Sequence, residues 1–459
     1  MKYFFLAFIA ALGGLLFGYD TAVISGTTAD VALLFSLSEM SKGWYVGCAL
    51  VGSIIGVSFA GVMADFLGRK KSLFAASVLF SVSAIGCCLC KGFGDLVAYR
   101  IIGGMGIGIV SIVSPMYISE ISPAKVRGKM VALYQLSITI GLLLAYVVNY
   151  IILTNAPQLH THSQFLENIF STQMWRGMLG SESVVTVLFL ITVLFIPESP
   201  RWLIVKGRGS EAMDVFRIIC ADDEAARKEF SLARASVDGE VKSEWKAILE
   251  PGIRKAVLLG CAIAILGQFG GVNAVLYYGP DIFADAGLAS RDSSLSTVLV
   301  GLVNMLTTVI AVFIIDRVGR KKLIYYGVSG MIVCLLFIAF YFFKGEALGL
   351  SSIAMLIFFL LYIFCQAISI SAVVFVLLSE MYPNRVRGIA MSIAGFALWI
   401  GTYLIGQFTP WCMENLTPAG TFLFFALCCL PYMYIIWKKI PETTGKSLEE
   451  IELFWKEKR

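Results

Sequence analysis

Asp20, Arg100 and Glu182 are ionisable residues set in otherwise apolar runs, where each charge costs roughly 2.5–3.5 kcal/mol on insertion scales. At 1.5 Å per helical residue, Asp20 lies about 27 Å along the first run from Lys2, and Arg100 about 8 Å into the fourth, counted from Asp95. The two runs point in opposite directions, so both residues reach similar depth and should pair or line a watery cavity. Burial favours the protonated form of an acid, whereas a nearby guanidinium favours the ionised form. An acid poised between them can take a proton on one side and release it on the other. A static ion pair that only fixes helix packing is the alternative. Glu182 is a second acid of the same kind. Uncharged polar groups also sit at mid-run: Gln135, Gln268, Asn273, Asn304 and Thr402. They donate and accept hydrogen bonds without charge, which suits a neutral solute whose hydroxyls must each find a partner once stripped of water. Taken singly, each reads equally well as a hydrogen bond between helices. Trp399 is the one mid-run indole; stacking on an apolar ring face or packing on a neighbouring helix both fit it.

The elements that hold these residues follow from composition. Of 459 residues, 58% are hydrophobic and 15% charged, with mean hydropathy +0.83. Soluble domains are about one quarter charged. Apolar runs of about 20 residues, the length that crosses the hydrocarbon core as a helix, recur along the whole chain. A soluble enzyme, a secreted disulfide scaffold and a nucleic-acid binder are thereby excluded. Twelve helices are expected, over 3–28, 43–64, 72–91, 95–119, 129–152, 174–196, 255–284, 293–315, 322–343, 350–379, 388–411 and 418–438. Thirty of the 36 basic residues fall on one side of these spans and four (Lys42, Lys91, Arg291 and Lys344) on the other. The positive-inside rule then puts both termini and the loop from Arg201 to Lys255 in the cytoplasm. That loop mixes 11 basic with 10 acidic residues, a pattern of short solvated helices.

The two halves repeat one another. Asp65-Phe-Leu-Gly-Arg-Lys70 after span 2 matches Asp316-Arg-Val-Gly-Arg-Lys321 after span 8. Glu120 with Arg127 matches Glu380 with Arg387, and Pro197-Glu198 answers Pro441-Glu442. Parallel repeats of six spans characterise the major facilitator architecture. The expected organisation is therefore an all-α membrane protein: a six-helix bundle over 1–200, a cytoplasmic helical linker over 201–254, a second bundle over 255–440 and a tail over 441–459. Gly267, Gly270 and Gly271 should loosen span 7 and Pro280 bend its outer end, making it a moving gate.

On these motifs, with Gly13-Gly-Leu-Leu-Phe-Gly-Tyr-Asp20, Arg100 ahead of a glycine-rich span, Pro197-Glu-Ser-Pro-Arg-Trp202 and Pro441-Glu-Thr-Thr-Gly-Lys446, the chain resembles the sugar porter family over essentially its whole length. That family includes bacterial D-xylose and hexose proton symporters and facilitative glucose transporters. The resemblance implies a monosaccharide transporter working by alternating access, with proton symport through Asp20, Arg100 and Glu182. It implies a substrate-binding set of Phe17, Gln135, Gln268, Asn273, Tyr277, Asn304 and Trp399. It implies a cytoplasmic gate of Asp65, Arg69, Glu120, Arg127 and Glu198 against Asp316, Arg320, Glu380 and Arg387. A proton-independent facilitator of sugars or polyols is the alternative, and a sugar sensor a third reading. The chain departs from the family pattern at Leu142, Gly267, Leu398 and Ser371-Ala-Val-Val-Phe375, where usual sugar contacts are smaller or apolar, so the identity of the sugar stays open.

Other motifs point to nothing further. Gly103-Gly-Met-Gly-Ile-Gly108 has no preceding strand and reads as close helix packing rather than a dinucleotide loop. Of the eleven cysteines only Cys87 and Cys90 are spaced as C-x-x-C, inside an apolar run, and His160 and His162 lack a third ligand, so neither a metal nor a cofactor is expected. An enzyme is not expected either. The expected partners are the sugar, the proton and the bilayer of a bacterial inner membrane, with the monomer as the working unit.

Overall fold

The computed structural model describes residues 2–123, 126–155, 163, 167–220, 222–238, 245–345, 347–383, 386–440 and 442. His160, His162, Lys125, Arg385 and the tail apart from Glu442 lie outside the described residues, as does the Asp316 side chain. Among the described residues, twelve helices are long and apolar enough to cross a membrane: Tyr3–Gly26, Glu39–Leu67, Arg69–Leu89, Phe93–Ile121, Arg127–Asn155, Met174–Val193, Pro251–Asp285, Ser290–Ile315, Arg320–Gly345, Ser352–Met381, Arg387–Asn415 and Thr417–Lys438. They are spans 1 to 12 in order. All twelve expected helices are present, with ends shifted by a few residues; spans 2, 4 and 5 run longer than their apolar stretches. Hydrophobicity marks where lipid ends, whereas the helical hydrogen-bond ladder continues until a glycine, proline or cap stops it.

Packing sorts the chain into two units, Met1–Asp30 with Cys48–Val241, and Val31–Gly47 with Lys242–Arg459. In the first unit the helices approach by their glycines. A Cβ on Gly18 would stand 1.8 Å from the Ile138 carbonyl oxygen and one on Gly104 would stand 1.9 Å from that of Ala49. Spans 1 and 5, and spans 2 and 4, thus touch backbone to backbone, as small residues permit in lipid. The helices Pro200–Val205, Gly209–Ile219 and Asp223–Asp238 belong to this unit. Their apolar faces meet around Trp202, Leu203, Ala212, Val215 and Phe230, and Trp202 Nε1 donates to the Asp65 carbonyl at 2.9 Å.

The second unit contains two interrupted spans. Span 7 is made of Pro251–Gln268 and Val272–Asp285, joined through Gly271 in a left-handed conformation (φ +86°). A side chain there would clash twice, since a Cβ would lie 2.3 Å from the Phe425 ring, and left-handed backbone is costly for residues other than glycine. The carbonyl that the break releases is not left bare: Tyr362 of span 10 donates its hydroxyl to Gly270 O at 2.6 Å. Nearer the C-terminal end of the span, Tyr278 leaves helical geometry (φ −121°, ψ 17°) ahead of Pro280, and its hydroxyl reaches Gly406 O at 2.6 Å. Span 10 is interrupted by a π-helical turn, Ala367–Ser371, a feature that often marks functional sites.

Candidate functional site

In the first unit, span 1 carries Asp20, span 4 carries Arg100 and span 6 carries Glu182, and all three side chains converge in the interior at 2–3% exposure. Arg100 Nη1 donates to Asp20 Oδ1 at 2.6 Å, and the Glu182 carboxyl is the neighbour of Asp20 and feels the charge of Arg100. One residue earlier on each helix, the Tyr19 and Ser181 hydroxyls pair at 2.7 Å and tie span 1 to span 6. Asp20 Oδ2 and Glu182 Oε1 are buried with no hydrogen-bond donor among the described residues. Two acids lie beside one guanidinium, so full ionisation leaves one uncompensated negative charge in a buried interior, which is strongly unfavourable. One proton on the carboxyl pair restores balance. The arrangement is chemically suited to taking up and giving up a single proton.

In the second unit, Asn273 Nδ2 donates to Gln268 Oε1 at 2.8 Å across the span 7 break. From span 11, the Thr402 hydroxyl reaches the same oxygen at 3.3 Å and Leu398 O at 3.0 Å. Gln268, Asn273 and Thr402 are therefore brought together. Trp399 and Tyr277 are buried and Asn304 is half-buried. Phe17, half-buried, and Gln135, exposed, belong to the first unit. Gln366, at the head of the π-helical turn, accepts a hydrogen bond from Ser371 Oγ at 3.0 Å and is buried. The sequence reading overlooked Gln366, although an amide within so apolar a run was itself a signal. It also overlooked the end of the unit where Lys42 Nζ meets Asp281 Oδ2 at 2.7 Å beside a cavity of about 410 Å³ lined by Glu39, Asp285 and Glu414 among others.

The charged motifs that follow spans 2, 4 and 6, and those that follow spans 8, 10 and 12, each form ion pairs within their own unit. Arg69 Nε and Nη2 each donate to Glu120 at 2.9 Å, and Arg69 Nη1 reaches Asp65 at 3.3 Å. Glu198 Oε1 accepts the Arg69 backbone N–H at 2.8 Å, and a Cβ on Gly68 (φ +96°) would strike this carboxylate. The glycine of the motif thus lets the carboxylate cap span 3. The repeat is structural: Gly319 (φ +94°) precedes span 9, Arg320 Nη2 donates to Glu380 at 2.8 Å, and the Lys321 N–H reaches Glu442 at 3.3 Å. Arg387 donates to Tyr382 O at 3.3 Å, and Arg127 is exposed.

A model of the family described as sugar (and other) transporter matches residues 6–455. The arabinose-proton symporter of Bacillus subtilis (strain 168) is 36% identical over 449 residues, covering 97% of this chain and 93% of that protein. The D-xylose-proton symporter of Escherichia coli (strain K12) is 34% identical, covering 98% and 95%. The solved inward open conformation of the xylose transporter XylE from E. coli superposes with a TM-score of 0.85 at 34% identity, covering 99% of this chain and 100% of that one.

Proposed function

We propose that this chain, which belongs to the sugar (and other) transporter family, carries a monosaccharide and a proton together across a membrane by alternating access. The observation that carries the reading is the 2.6 Å contact of Arg100 with Asp20, with Glu182 beside it. When Asp20 is ionised the pair is held by charge. A proton placed on the Asp20 carboxyl cancels that attraction and loosens span 1 from span 4, so protonation and helix position are coupled. The names of the arabinose and xylose relatives, each a proton symporter, support the same assignment.

On this reading Gln268, Asn273 and Trp399, with Tyr277, Asn304, Phe17 and Gln135, are the sugar contacts, and the interrupted span 7 is the gate beside them. The paired charge clusters around Arg69 and Arg320 stabilise one of the two access states as a cytoplasmic gate. The protein works as a monomer in a bacterial inner membrane with both termini in the cytoplasm, in keeping with the placement of its basic residues. Halves divided by the cytoplasmic linker over 201–254 complete the proposed organisation.

The test is sugar-dependent alkalinisation of the medium by energy-starved cells expressing the chain, run with D-xylose, L-arabinose and D-glucose. A rise in external pH on sugar addition is expected. Sugar entry at an unchanged external pH would assign a facilitator instead.

A further inference from the structure

Gln268 is held in an unusual way. Its amide oxygen accepts from Asn273 Nδ2 at 2.8 Å, and the Thr402 hydroxyl, whose one proton is shared with Leu398 O at 3.0 Å, stands 3.3 Å from the same oxygen. Two lone pairs are all that a carbonyl oxygen offers, and a donor approaches this oxygen from each side. The neighbouring backbone enforces the approach: Gly401 lies so near that a Cβ would stand 3.2 Å from Gln268 Cβ and Cγ. Both Gln268 and Asn273 remain only half-buried. The Gln268 –NH2 group and the Asn273 carbonyl oxygen make no hydrogen bond among the described residues, so one donor and one acceptor face outward from the pair. That couple matches a single hydroxyl, which can accept from the first and donate to the second.

We propose that Thr402 is a positioning residue which, with Asn273, fixes the Gln268 amide so that a sugar hydroxyl meets its N–H and never its oxygen. The proposal rests on the reading of Gln268 as a sugar contact. It makes the site selective at one ring position for a group that accepts a hydrogen bond. Rotation of the amide would reverse that preference; it would set the Gln268 –NH2 against the Asn273 –NH2 from span 7 and give up the share of the Thr402 proton from span 11.

Deoxy and deoxyfluoro sugars separate the possibilities, because fluorine accepts weakly and donates nothing, whereas hydrogen does neither. Inhibition of uptake should be measured for each ring position of whichever of D-xylose, L-arabinose and D-glucose is transported best. In the parent chain the fluoro analogue should outbind the deoxy analogue by about five-fold at one position. Thr402→Val keeps the side-chain volume but removes the hydroxyl, and should bring that ratio close to one while raising KM and sparing the maximal rate. Thr402→Ser should restore the ratio. A role in helix packing alone would weaken all analogues alike and leave the ratio where it was. If Gln268→Ala weakens binding while Thr402→Val retains the parent ratio and KM, the positioning role is refuted and the sugar site stands. If Gln268→Ala leaves binding of all three sugars intact, the sugar site itself fails and the proposal with it.

Discussion

Asn273 and Gln268 meet amide to amide at 2.8 Å, although the left-handed turn at Gly271 separates them along the chain. An unbroken helix would place residues five apart on different faces. The break therefore creates the pair, and the stability of the break controls the site.

Gly271→Ala should disrupt that turn. The new methyl is forced into left-handed backbone, at about 1–2 kcal/mol, and against the Phe425 ring. Sugar affinity is expected to fall several-fold, with a lower thermal midpoint for the purified protein. Tyr362→Phe removes the hydroxyl that covers Gly270 O and exposes a buried carbonyl at about 1–3 kcal/mol. Sugar binding titrated in detergent alongside thermal unfolding checks both; unchanged affinity in both variants would detach the site from the hinge.

Asp20→Asn keeps the shape of the side chain but cannot carry a proton or attract Arg100 by charge. Uphill accumulation of sugar should disappear, while exchange of labelled for unlabelled sugar continues. Accumulation driven by a pH gradient at the parent rate would remove Asp20 from coupling.

Glu182→Gln tests the shared proton. If the two carboxyls act together beside Arg100, losing the second acid should change the pH dependence of uptake, with little change in sugar affinity. A pH profile superposable on the parent's would leave Glu182 with a packing role only.

Glu120→Gln removes one partner of a nearly buried bidentate pair, Arg69 with Glu120. Breaking such a pair costs about 3–5 kcal/mol, largely because the remaining charge is uncompensated. Net uptake should slow at least several-fold while the affinity for sugar stays within about two-fold. Equal losses in both would mean that the cluster supports folding rather than gating.

Hydrogen bonds from Arg217 to Asp223 and from Arg208 to Glu211 hold these linker carboxyls below the usual carboxylate range. Their folded-state values are depressed, so any stabilisation is present above the unfolded-state value and is lost as the pH falls through the folded one. Any loss of hydrogen-exchange protection in the helices Gly209–Ile219 and Asp223–Asp238 should thus appear only as the pH falls below the usual carboxylate range, and should be slight because both pairs are exposed. Because these pairs are exposed, Arg217→Ala should leave transport within about two-fold of the parent. A larger loss would give the linker a direct part in transport.

The sequence by itself determined the twelve spans, the repeated half and the family. Apolar length, basic-residue bias and the recurrence of Asp65-to-Lys70 at Asp316-to-Lys321 are properties of order along the chain, and lipid permits few structures for such a pattern. Depth arithmetic also set Asp20 level with Arg100, because helical rise is constant. It could not give azimuth. Which face of span 6 turns Glu182 toward Asp20, and which face of span 11 turns Thr402 toward Gln268, depends on how helices rotate and lean against their neighbours. The partners of the repeated charge motifs were decided in the same way: Arg69 found Glu120 and Arg320 found Glu380, each inside its own unit. Glycines announced a weak point in span 7, but only packing against Phe425 and the hydroxyl of Tyr362 placed the break at Gly271. Helical rise is a local property of the backbone, whereas rotation about the helix axis is set by contacts between side chains far apart in sequence, so only the tertiary structure could decide it.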